Sequence, residues 1–66
     1  MKVHKSIMNR NQIELSGFES VNQVNAMVWS LNNHDGVESA TAKLNFVVIV
    51  ICKPGRREEI AKLANS

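Results

Sequence analysis

At 66 residues the chain is one domain at most (1–66), and one so short buries only about 60% of its unfolded surface. A hydrophobic fraction of 44% still supports a core and argues against wholesale disorder, while eight Lys plus Arg against six Asp plus Glu is too balanced to mark a nucleic-acid binder. One cysteine excludes an intrachain disulfide framework and any all-cysteine metal site within one copy, and no apolar run nears the roughly 20 residues that span a bilayer.

The N-terminal stretch MKVHKSIMNRNQ lacks a signal peptide's apolar region, so a cytoplasmic protein is expected. Val3 to Ile7 alternates weakly, with Val3, Lys5 and Ile7 on one side. Met8 to Asn11 suits a turn, because Asn tolerates left-handed dihedrals. Gln12 to Leu15 alternates again, directing Ile13 and Leu15 one way. The two segments read as a hairpin or, alternatively, as a frayed tail before the first strand.

Gly17 ends that strand, and Ser20-Val21-Asn22-Gln23 has the form of a capping box. Val21, Val24, Met27, Val28 and Leu31 recur at three- and four-residue spacing, which predicts a helix over about 21–33. Gly36 suits a left-handed residue closing it. Trp29 lies more than about 100° from the centre of the stripe and should face outward, either packed on its flank or as a partner anchor.

Val37 to Leu44 alternates, with Ala40, Ala42 and Leu44 on one face and Ser39, Thr41 and Lys43 on the other. Phe46 to Ile51 is apolar on both faces and suits a central strand. With Val47, Ile49 and Ile51 toward the helices, Phe46, Val48, Val50 and Cys52 would form an apolar patch on the open face. Such a patch marks an interface. Pro54-Gly55 stops the strand, and Arg56 to Leu63 reads as a second helix with Ile60, Leu63 and Ala64 inward. Polar–apolar alternation in the second strand fits helices on one side only, hence a ferredoxin-like α/β sandwich.

From about Ile13 to Ile51 the chain resembles the heavy-metal-associated domains of copper chaperones. Gly17-Phe18 stands where that family has Gly-Met before its cysteines. Met27 and Leu31 match its helix positions, Gly36-Val37 its turn, and the segment from Val37 to Leu44 its second strand. The resemblance implies metal ligands at the positions of Ser20 and Gln23, which lack thiols. Soft ions prefer thiolates, so the metal loop reads as degenerate, converted to a helix cap, with no cofactor expected. The family's last strand has no counterpart after the second helix, and the N-terminal segment is the candidate to fill that edge.

The resulting expectation is a non-enzymatic interaction or adaptor domain, a homodimer or one with another protein partner, docking through the open sheet face. The interface candidates are Trp29, Phe46, Val48, Val50 and Cys52. One alternative is metal trafficking by Cys52 with His4 or His34, or with ligands shared across a dimer. Another is nucleic-acid binding by Lys2, Lys5, Arg10, Arg56 and Arg57, against which stands a single aromatic candidate for base stacking on the open sheet, Phe46, with no tyrosine in the chain and Glu14 on the same face.

Overall fold

The structure is a computed structural model that describes residues 3–64. Six elements follow in order: β1 His4–Ile7, β2 Gln12–Ser16, α1 Val21–Asn32, β3 Val37–Lys43, β4 Val47–Cys52 and α2 Arg57–Ala64. Every strand pairing is antiparallel, and the sheet runs β1-β2-β4-β3 with both helices on one face. This is the ferredoxin-like sandwich, with an open sheet.

β1 and β2 form the hairpin, pairing from His4 opposite Ser16 to Ile7 opposite Ile13. Their turn closes through the Met8 N–H on the Gln12 carbonyl at 2.9 Å and the Asn11 N–H on Asn9 Oδ1 at 3.0 Å. That is the local bonding that makes Asn a turn residue. β1 thus forms the sheet edge beside β2. Lys5 Nζ donates to the Ala61 carbonyl at 2.9 Å and ties this edge to α2.

The fully buried side chains are Ile13, Leu15, Leu31, Val48, Val50, Cys52 and Ile60. Ile13 lies opposite Val50 and Leu15 opposite Val48. Directly opposed residues project to the same face, so Val48, Val50 and Cys52 point to the helices. This reverses the expected facing of β4 and removes all three from the interface candidates. Val47, Ile49 and Ile51 take the open face instead, half-buried between Gln12, Glu14 and Ser16 on one side and Ser39, Thr41 and Lys43 on the other. A strand apolar on both faces carries no parity signal of its own. Its partner β2, with only Ile13 and Leu15 apolar, sets it.

β3 keeps the expected alternation with one irregularity. A register shift between Val37 and Ser39 lets Val37 and Ala40, which differ in parity, both turn inward. In α1, Val24 and Leu31 are buried with Met27 and Val28 packed beside them, while Val21 is 60% exposed and leaves the stripe. Gly36 is not left-handed; the glycines with positive φ are Gly17 and Gly55. Gly36 is buried, and a Cβ there would meet Ile60 Cδ1 at 3.1 Å, so its place is a close approach between the α1–β3 turn and α2. In α2, Ile60 and Ala61 face the core. Leu63, expected inward, is 47% exposed, and the Ala64 side chain lies outside the described residues.

Candidate interaction surface

Ser20 and Gln23 are engaged in capping α1. Ser20, at extended φ and ψ, accepts the Gln23 N–H on Oγ at 3.2 Å. Gln23 Oε1 accepts the Glu19 N–H at 2.7 Å, one residue earlier than a standard capping box. Among the described residues no group of three or more His, Cys, Asp or Glu is placed to hold a metal ion. Cys52 is 1% exposed within the core. Burial pushes its thiol up, only partly opposed by the Arg57 charge, which disfavours the thiolate that a soft metal or nucleophilic chemistry needs.

The two histidines are apart. His4 stands on the exposed edge strand β1. His34 Nδ1 accepts the Gly36 N–H at 2.9 Å, and its Nε2 lies 3.6 Å from Glu59 Oε2, so it tacks the α1–β3 turn to α2. Several of the basic side chains are engaged within the fold. Arg56 makes a bidentate bond to Glu59, Arg57 Nη1 donates to the Asn9 carbonyl at 3.3 Å, and Lys5 reaches Ala61. Lys2 lies outside the described residues. A hollow of about 270 Å³ between Arg10, Gly55, Arg57 and Glu58 carries both signs of charge.

Ile7, Met8 and Leu63 are exposed apolar side chains outside this hollow, and a further group lines a groove. Between the first turns of α1 and the β3–β4 turn runs a groove of about 380 Å³, lined by Val21, Val24 and Asn25 on one side and Ala42 to Phe46 on the other. Leu44 is 87% exposed, Val21 60% and Phe46 42%. Leu44 and Phe46 were expected in strands, but both lie in the turn. Asn45 and Phe46 have φ of 64° and 57°. Asn adopts that conformation readily, whereas a bulky side chain there is an outlier costing on the order of 1 kcal/mol. Trp29 is 70% exposed, as its helical position predicts. It follows Val21 and Asn25 at four-residue intervals, on the flank of α1 that borders the groove.

No protein-family model, curated protein or solved structure matches the chain. Its description therefore stands on the fold and the site: a small ferredoxin-like domain with one cysteine and, among the described residues, no metal-binding cluster. No helix among those residues is long and apolar enough to cross a membrane.

One engaged residue escapes sequence reasoning. Asn32, the last residue of α1, accepts the Ala40 N–H on Oδ1 at 2.9 Å and donates from Nδ2 to the Ala40 carbonyl at 3.0 Å. Nothing in the local pattern distinguishes it from Asn33, whose Nδ2 bonds the Trp29 carbonyl in its own helix.

Proposed function

We propose that the chain is a non-enzymatic protein-interaction module, a divergent relative of heavy-metal-associated domains, that pairs with a second copy of itself through the groove beside Leu44. The observation that carries this reading is Leu44, 87% exposed at the rim of an apolar hollow formed by Val21, Ala42 and Phe46. One patch thus supplies both a protruding side chain and a hollow to receive it. A two-fold contact requires that self-complementarity, because each copy presents the same surface. Lys43 is the sole charged side chain in the lining, so pairing desolvates little charge.

Phe46 supports the same reading. Glycine would hold its left-handed backbone more cheaply, yet this position carries an aromatic ring that is only partly covered. Trp29, on the adjoining flank, extends the apolar surface beyond the groove and is the kind of residue that anchors interfaces. The ridge of Val47, Ile49 and Ile51 is half-buried within its own sheet, which supports the α1–β3 edge over the open face as the proposed contact. Light scattering on wild type and Leu44→Asp tests the proposal. Wild type should rise from monomer to dimer mass with concentration, and the variant should stay monomeric at unchanged secondary structure.

A further inference from the structure

β3 is an edge of the sheet, and such edges recruit further strands unless something covers them. Along an antiparallel strand, successive residues turn their N–H and C=O alternately toward and away from the neighbour. Ala40 gives both groups to Asn32. They therefore point away from β4, and the same parity turns the Ala42 groups outward two residues later. A side-chain carboxamide that takes both groups of one residue reproduces the pair of bonds an added antiparallel strand would make there.

We propose that Asn32 is an edge stop: its carboxamide fills the strand-pairing position at Ala40 and bars a second copy of β3 from adding to this edge. The side chains of β3 do not provide that barrier. In a two-fold pairing centred on Ala40, Ser39 would face Thr41, so no like charges oppose there, and the strand contains no proline; the register shift between Val37 and Ser39 confines regular pairing to the stretch around Ala40. Asn32 comes from the end of α1, eight residues before its partner, so the stop is in place only once helix and strand have packed.

This proposal concerns backbone pairing rather than groove packing, and because Ala42 also lines the groove its test is made in the Leu44→Asp background, where groove pairing is disabled. Amide hydrogen exchange by NMR reads the wild-type carboxamide directly. The Ala40 amide should exchange on the order of tenfold or more slowly than the Ala42 amide, although both point outward. Adding Asn32→Ala should then convert the protein to a form whose mass doubles with concentration, and adding Ala42→Pro should restore the monomer by removing an outward donor. Equal, fast exchange at Ala40 and Ala42 overturns the proposal, whether or not the Asn32→Ala protein folds. A folded Asn32→Ala protein that stays monomeric at every concentration overturns it too.

Discussion

Ser20 Oγ takes the Gln23 N–H, and Gln23 Oε1 takes the Glu19 N–H in return, so two donors at the head of α1 are satisfied by side chains three and four positions away, respectively. Exchanging Ser20 for alanine leaves the Gln23 amide to water alone. Chemical denaturation of Ser20→Ala should register a loss of about 1 kcal/mol, with α1 still formed. A second residue-scale contact responds to pH. The bidentate bond from Arg56 holds the Glu59 carboxyl below its ordinary 4.5. A carboxyl whose folded pKa is lowered stabilises the fold above its unfolded value, and that contribution disappears as the pH falls through the folded value. The melting temperature of wild type should therefore exceed that of Glu59→Gln at neutral pH, with the gap closing below pH 4.5. Because both groups are at the surface, the gap should be small and shrink further with salt.

At the scale of elements, what was legible in the sequence follows from how local the signal was. The Ser20 cap, the α1 stripe apart from Val21, and the turns at Asn9 and Pro54 depend on residues a few positions apart, and the structure places them where the pattern points. The facing of β4 is different. Val47 to Cys52 is apolar at every position, so which half is buried depends on the register with β2, and only the pairing of Ile13 with Val50 decides it. Leu44 continued the alternation of β3 in sequence, yet the chain turns at that residue and leaves it in solvent. Asn32 was illegible for a related reason, since its partner belongs to the next element. The parity of β4 can be checked by placing a charge on each face. Val50→Asp, with its carboxylate in the core, should abolish the cooperative unfolding transition, whereas Ile49→Asp should remain folded by circular dichroism. The reverse outcome would return β4 to its expected facing.

Across the whole molecule the faces and edges of the sheet differ in chemistry. The helix face holds the core, including the single thiol, which leaves Cys52 inside rather than at an interface. The open face carries a half-buried apolar ridge between polar rows, and Ser20 and Gln23 are engaged in capping α1. Of the two sheet edges, β1 is tied to α2 by Lys5 and β3 to α1 by Asn32. The exposed apolar side chains Val21, Leu44 and Phe46 gather around one groove, and Trp29 is exposed two turns further along α1. A domain of this size has little hydrophobic area to spare, so leaving these side chains in water is a cost that pairing would offset. Sedimentation equilibrium on wild type and Leu44→Asp at matched concentrations tests that most directly. The account predicts a reversible dimer for wild type and a folded monomer for the variant, and a wild type that stays monomeric throughout, or a variant that dimerises as tightly, would contradict it.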